Sequence, residues 1–192
     1  MNKPQPVIQR RLAAIFCADA AGYARLMSID EAGALSLLNS HCEIIDRQIT
    51  RYGGRTANTA GDSILAEFPS SINAVTCALD IQERVADANE EVARERQVIF
   101  RIGVHVGEII VKNGDLFGDG VNVAARMEKL APPGCVCLSE MAHHYASKAL
   151  NVAFDDLGPQ LFKNLSTPIR AYIIHPPTNP LSKSCEIGRA HV

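Results

Sequence analysis

Along this chain, continuous apolar runs of strand length alternate with segments whose apolar residues recur every three or four positions. That change of period calls for a sheet layered with helices. Leu12 to Ala18 is an unbroken apolar run of strand length. From Asp30 to Arg51, Leu35, Leu38, Cys42, Ile45 and Ile49 follow one another at spacings of three and four, which predicts an amphipathic helix. Asp30 is its N-cap and Gly53-Gly54 its stop. Two short strands around a turn fit Arg55–Thr59 and Ser63–Phe68, and Pro69 leads into a second helix with Ile72, Val75 and Leu79 on one face. The charge-dense stretch Glu83–Arg96 reads as a solvated helix end and loop. Val98–Val106 alternates as a strand does, Glu108–Val111 continues it, and Asn113-Gly114 is a two-residue hairpin signal. A third helix from Gly120 to Leu130 ends before Pro132-Pro133-Gly134. Cys135–Leu138, Glu140–Lys148, Val152–Leu157 and Ile169–His175 then read as strand, helix and two strands. The order is β-α-β-β-α-β with additions: an α/β (α+β) fold with a ferredoxin-like core, its helices expected on one face of the sheet.

A chain of 192 residues suits one domain, and a domain of that size buries roughly 70% of its unfolded surface without disulfides or a structural metal. The expected division is a disordered lead-in over 1–10, the folded domain over 11–175 and an unstructured tail over 176–192. The last six residues, Ile187 to Val192, match one reading frame of a DNA-sequencing adapter. The natural protein is therefore expected to continue past about residue 186, and Cys185 and His191 carry no functional expectation. A net charge of −2 with no long basic run argues against a grip on nucleic-acid phosphates, and 5% aromatic residues are too few for base-stacking platforms. No apolar run approaches the ~20 residues of a membrane-spanning helix. Arg10-Arg11 before Leu12–Ala18 mimics a short signal peptide, but the run stops at Asp19 and reads better as a buried strand. Cys17, Cys42, Cys77, Cys135 and Cys137 fall in apolar periodic segments, as reduced thiols of a cytoplasmic protein do.

Neither common nucleotide cradle is present, Walker-type or Gly-x-Gly-x-x-Gly after a strand, and no Gly-x-Ser-x-Gly elbow occurs. Cys135-x-Cys137 with His143-His144 can be read as zinc ligands, but the spacing matches no standard module and a buried strand explains the thiols. Two aspartates stand in similar settings. Asp19 ends an apolar strand before Ala20-Ala21-Gly22, and Asp62 sits in the turn Gly61-Asp62-Ser63. Carboxylates at strand ends beside small residues can share hard cations. On spacing alone, ordinary turn positions explain both at least as well. A second cluster, Asp115 to Arg126, runs from a hairpin into a helix and puts Asn122 and Arg126 four apart on one face. An amide beside a guanidinium suits a ribose and a phosphoryl group.

These segments resemble class III nucleotidyl (adenylate/guanylate) cyclase catalytic domains of bacterial type. The likeness lies in Phe16–Tyr23, Gly61–Phe68, Phe100–Gly103, Gly118–Arg126, Leu157-Gly158 and Phe162–Leu165, and spans nearly all of Arg11–His175. The resemblance implies an adenylate cyclase that converts ATP to 3′,5′-cyclic AMP and pyrophosphate at a two-metal site. Asp19, Asp62 and the backbone carbonyl of Ala20 would hold two Mg²⁺ or Mn²⁺ ions. Asn122 would orient the ribose, Arg126 would stabilise the α-phosphoryl charge, and Arg101 and Lys163 would meet the β- and γ-phosphates. It also implies a homodimer whose sites lie at the subunit interface, because the metal aspartates and the Asn/Arg pair come from opposite subunits. One position departs from the family: the purine-reading lysine is Asn58 here, with Asp115 as its partner, an acceptor for the adenine amino group. A shorter, uncharged donor weakens that contact, so a degenerate, nucleotide-binding regulatory domain or relaxed or GTP preference is the alternative.

Overall fold

A computed structural model describes residues 9–162 and 167–176. Its centre is β1 (Gln9–Ala20), which pairs antiparallel with β3 (Ser63–Phe68) on one side and β4 (Phe100–Lys112) on the other. β2 (Arg55–Ala60) lies outside β3, and β5 (Asp115–Phe117) turns back onto the far end of β4. Beyond β4 come β6 (Val136–Ser139), in parallel, then β8 (Ile169–Ile174) and β7 (Asp155–Gln160), both antiparallel to their neighbours. The described residues thus form an eight-stranded mixed sheet in the order β2-β3-β1-β4-β6-β8-β7, with β5 as a side branch. Among the described residues five α-helices accompany it: α1 (Tyr23–Ile29), α2 (Glu31–Arg51), α3 (Ser71–Ala88), α4 (Asp119–Leu130) and α5 (Glu140–Ala149).

The unbroken apolar run in β1 has a direct cause: both faces of the strand are covered. Ala14, Phe16 and Ala18 point into a core shared with Leu38, Ile45 and Ile49 of α2 and Val75, Ala78 and Ile81 of α3. Ala13, Ile15 and Cys17 point the other way, against Ile109, Leu116 and Ala124 of α4. The helices therefore occupy both faces rather than one, and a strand buried on both sides needs apolar residues at every position. Phe16, Phe68 and Phe100 are wholly buried in the larger core, each burial being worth about 2–3 kcal/mol.

Asp30 caps α2 by accepting from Gly33 N at 3.0 Å, as the sequence predicts, and Gly53 takes the left-handed backbone (φ 74°) that ends it. The inner face of α2 is turned slightly from expectation. Leu35 is about half exposed, while His41 is fully buried with its ring edge toward Phe100. In α3, Ile72 is exposed and the packed face is Ala74, Val75, Cys77, Ala78, Ile81 and Val85. α1, with seven residues, is too short for a periodicity signal and has no counterpart in the sequence reading. β7 starts at Asp155 and not Val152, and Gly158 (φ 72°) carries a register shift in its ladder with β8. Asn113 (φ 55°) and Gly114 (φ 84°) form the expected left-handed turn between β4 and β5. Cys17, Cys42, Cys77, Cys135 and Cys137 are free thiols. No described helix is long and apolar enough to cross a membrane.

Candidate functional site

The β1–β3 ladder brings the first two candidate residues to one end of the sheet. Asp19 is the cross-strand partner of Ser63, and Ala20 N donates to the Asp62 carbonyl at 3.3 Å. Asp62 sits in the tight turn joining β2 to β3, where Gly61 supplies a left-handed backbone (φ 64°). On the other flank of β1, Asp19 is paired with Arg101 of β4. Both oxygens of Asp19 are occupied by protein groups. Oδ1 accepts from Ser63 Oγ at 2.7 Å, and Oδ2 accepts from Arg101 Nη2 at 3.0 Å. The Asp19 side chain is 22% exposed, so solvent reaches this end of the sheet.

Arg101 also leans the other way. Its Nε stands 3.3 Å from Glu128 Oε1 of α4, within ion-pair range but without the alignment of a hydrogen bond. Burial pushes the Glu128 carboxyl up to about 7, with Asp19 adding to the effect, Arg101 and Lys129 opposing it, and Asp62 adding a smaller share. Asp19 and Glu128 thus share one guanidinium, with Asp62 in the adjoining turn.

α4 presents the second group. Its inner face, Gly120, Val123, Ala124, Met127 and Glu128, is buried against β1 and β4, whereas Asn122 is exposed and Arg126 half-buried on the opposite side. The Arg126 guanidinium lies over the ring of Phe162, 5.6 Å from its centroid. The helix runs against β4 so closely that a Cβ on Gly103 would stand 2.1 Å from Glu128 N and 2.5 Å from the Ala124 carbonyl. At the other end of the helix, a Cβ on Gly120 would meet the Glu108 carbonyl at 2.9 Å. Asn122 therefore begins its reach near the Glu108 end of β4, while Asp19 lies opposite Arg101. Seven residues of strand separate those two points, about 20–25 Å. Within one chain α4 presents Asn122 and Arg126 on the face opposite Glu128, the residue that faces Arg101.

Asn58 and Asp115 occupy a third position, at the β2–β5 corner. Asn58 is exposed just after a register shift in β2, and Arg55 ties that strand to the hairpin by donating to the Gly114 carbonyl at 2.6 Å. Asp115 Oδ1 accepts from Leu116 N at 2.8 Å, which leaves its second oxygen for another donor. Lys163 lies outside the described residues. Of the alternative zinc set, Cys135 is buried just before β6 and Cys137 within it, and His143 is stacked on Tyr172 with ring centroids 3.7 Å apart. The histidine beside Cys135 is His175, its Nδ1 3.3 Å from the sulfur.

Three residues enter the site that the sequence reading does not single out. Ser63 fixes one oxygen of Asp19, Glu128 pairs with Arg101, and Phe162 supports Arg126. Ser63 and Phe162 stand inside the quoted motifs. Glu128 gives no such signal, because helical period places it on a face where apolar side chains are expected.

The family model of the "Adenylate and Guanylate cyclase catalytic domain" matches residues 9–176. A relative named putative adenylate cyclase 3, from Rhizobium meliloti (strain 1021), is 42% identical over 170 residues, which cover 88% of this chain and 29% of that protein. A protein named adenylate cyclase from Streptomyces coelicolor is 32% identical over 133 residues, or 69% of this chain and 33% of that protein. This chain thus spans about a third or less of the length of these relatives. Among solved structures, the adenylate/guanylate cyclase/hydrolase from Silicibacter pomeroyi superposes with a TM-score of 0.79 at 40% identity, covering 88% of this chain and 99% of that one. The guanylyl cyclase Cya2 shares the fold at a TM-score of 0.77 and 20% identity, over 88% of this chain and 93% of that one.

Proposed function

The chain belongs to the adenylate and guanylate cyclase catalytic-domain family, and on that premise we propose that it converts ATP to 3′,5′-cyclic AMP and pyrophosphate. The observation that carries the proposal is the convergence of Asp19, Ala20 and Asp62 at one solvent-open end of β1 and β3, with Arg101 beside them.

The donor set fits a hard divalent cation. Two carboxylates and a backbone carbonyl are oxygen ligands, and among the described residues no third carboxylate, histidine or cysteine joins them as a closed cage. Mg²⁺ favours such open sites, whose remaining positions go to water and phosphate oxygens. Two Mg²⁺ or Mn²⁺ ions held by Asp19, Asp62 and the Ala20 carbonyl would activate the ribose 3′-hydroxyl and offset triphosphate charge. The 3′-oxygen loses its proton and attacks the α-phosphorus in line; the bond to the β-phosphate bridging oxygen breaks and pyrophosphate leaves. Arg101 and Lys163 bind the β- and γ-phosphates. Asn122 orients the ribose, and Arg126 meets the charge that grows on the α-phosphoryl group.

Because α4 turns Asn122 and Arg126 to the face opposite Glu128 and Arg101, the proposed site is completed by a second copy. Each subunit supplies the aspartates to one site and α4 to the other. Asp115 favours ATP over GTP, since its carboxylate accepts from the adenine 6-amino group and repels the guanine 6-oxo group. Asn58 is the observation behind a second reading, a domain that binds nucleotide and regulates without turnover. A cytoplasmic location, where ATP is available, is part of the proposal.

The deciding experiment is turnover by the purified chain with Mn²⁺ and either ATP or GTP, with products identified by mass spectrometry. Cyclic AMP that disappears in Asp19→Ala and Asp62→Ala is expected. Undiminished product from either variant removes that residue as a cation ligand, and cyclic GMP as the main product reverses the base assignment.

A further inference from the structure

Arg101 has two anionic partners, and they differ in kind. Asp19 stands at the open end of the sheet, and its Oδ2, the oxygen that Arg101 holds, is one that a cation would need. Glu128 is 7% exposed, on the inner face of α4, and faces Arg101 Nε at 3.3 Å. Its Oε1 is buried without a hydrogen-bond donor among the described residues, so the guanidinium is its near counter-charge. The backbone beneath that carboxylate is fixed by a very close helix–strand approach at Gly103, where a Cβ would stand 2.1 Å from Glu128 N.

A guanidinium and a divalent cation repel one another, so Arg101 must leave Asp19 when that carboxylate takes a cation. A freed arginine side chain of this length samples many rotamers. We propose that Glu128 is a positioning residue: it keeps the Arg101 guanidinium at the mouth of the Asp19/Asp62 cleft after its release from Asp19, facing an incoming polyphosphate. The fixed seat of Glu128 makes it a pivot, and Arg101 swings between Asp19 and the ligand while Nε stays on Oε1. This inference rests on the cation site proposed above and assigns a role to a residue outside it.

The test is a double-mutant cycle on the full chain with Glu128→Gln, Arg101→Ala and the pair. Three readouts are taken: Mn²⁺ alone by electron paramagnetic resonance, Mn²⁺ with 3′-deoxy-ATP by calorimetry, and KM and kcat for ATP. Glu128→Gln is expected to weaken 3′-deoxy-ATP binding about tenfold, because a neutral amide gives up the charge-assisted hold on Arg101. Mn²⁺ binding weakens several-fold, as the guanidinium then settles on Asp19. KM rises in step with the loss of nucleotide affinity, while kcat at saturation changes less than threefold. In the Arg101→Ala background, adding Glu128→Gln changes neither affinity more than twofold. An equal effect with and without Arg101 overturns the proposal, since Glu128 then acts by its own charge. A lowered melting temperature with unchanged affinities overturns it too, as a merely structural role. If the glutamine variant does not fold, Glu128→Asp keeps the charge but withdraws it by one methylene, and an Arg101-dependent loss of affinity is again expected. A wild-type chain that binds 3′-deoxy-ATP yet forms no cyclic product overturns the proposed reaction alone and leaves the binding cycle decisive for Glu128.

Discussion

At the scale of single residues, the two histidines in the core make the fold sensitive to acid. His41 is fully buried, neither ring nitrogen finds a hydrogen-bond partner among the described residues, and burial lowers its pKa to about 4. His105 of β4, its Nδ1 2.8 Å from Ser139 Oγ, is likewise lowered to about 4 by burial. A folded pKa below the ordinary 6.5 means that the unfolded chain takes up these protons first. Their contribution to stability is complete above pH 6.5 and is lost as pH falls toward 4, at up to about 1.4 kcal/mol per pH unit for each. Glu128 works in the opposite sense. Its carboxyl, raised to about 7 from 4.5, restores stability as it protonates over the same interval, and offsets one of the two histidines. The denaturation midpoint is therefore expected to fall between pH 7 and 5. In His41→Leu, urea titrations at a series of pH values should show a clearly shallower fall, and an unchanged slope would remove His41 as a cause. On the outer face of α4, Arg126→Ala is expected to lower kcat by about 10²–10³ with KM little changed, the pattern of a group that acts on charge developed during reaction. Asn58→Lys is expected to lower KM for ATP, since it restores a charged donor at the purine position; steady-state kinetics with ATP and GTP read both affinity and base choice.

At the scale of elements, the seat of α4 on β4 is the most demanding contact. Gly103→Ala places a methyl where Glu128 N and the Ala124 carbonyl already stand, so the helix must lift from the sheet. The expected cost is about 1–3 kcal/mol or more, read as a lowered melting temperature, with a fall in turnover larger than the unfolded fraction explains. Gly103 is legible in the sequence only as part of Arg101-Ile102-Gly103; that a helix backbone lies against it is a tertiary fact. The same division holds elsewhere. α2 is readable because 21 residues of helical period and an Asp cap reinforce each other, whereas α1, at seven residues, is held only by what surrounds it. The unbroken run of β1 announces a buried strand but not how many helices cover it, hence the expectation of one helical face where there are two. Asp19 and Asp62 are legible as strand-end carboxylates, and their convergence follows from the antiparallel β1–β3 register that local pattern cannot specify. Glu128 stays hidden because a buried acid on a helix's inner face breaks the rule by which such faces are recognised.

At the scale of the whole molecule, the two faces of α4, with Glu128 toward Arg101 and Asn122 and Arg126 turned away, make the pairing of chains the central prediction. Asp19→Ala and Arg126→Ala proteins, each inactive or nearly so, should regain activity when mixed. A heterodimer holds one site with both defects and one with neither, so up to about a quarter of wild-type turnover is expected for random exchange. Activity absent from a mixture shown to contain heterodimers would place each site within a single chain.

The Gly103 contact has a further consequence for control. Asp19, Arg101 and the underside of α4 are tied to the same long β1–β4 ladder, with no gap at Gly103 for the helix to slide. In the proposed pair, a subunit so built would have no internal joint between the part it lends to one site and the part it lends to the other. The soft coordinate would then be the angle between protomers, and an incoming signal would act as torque on that angle: a turn of a few degrees would open or close both sites together without either subunit changing shape.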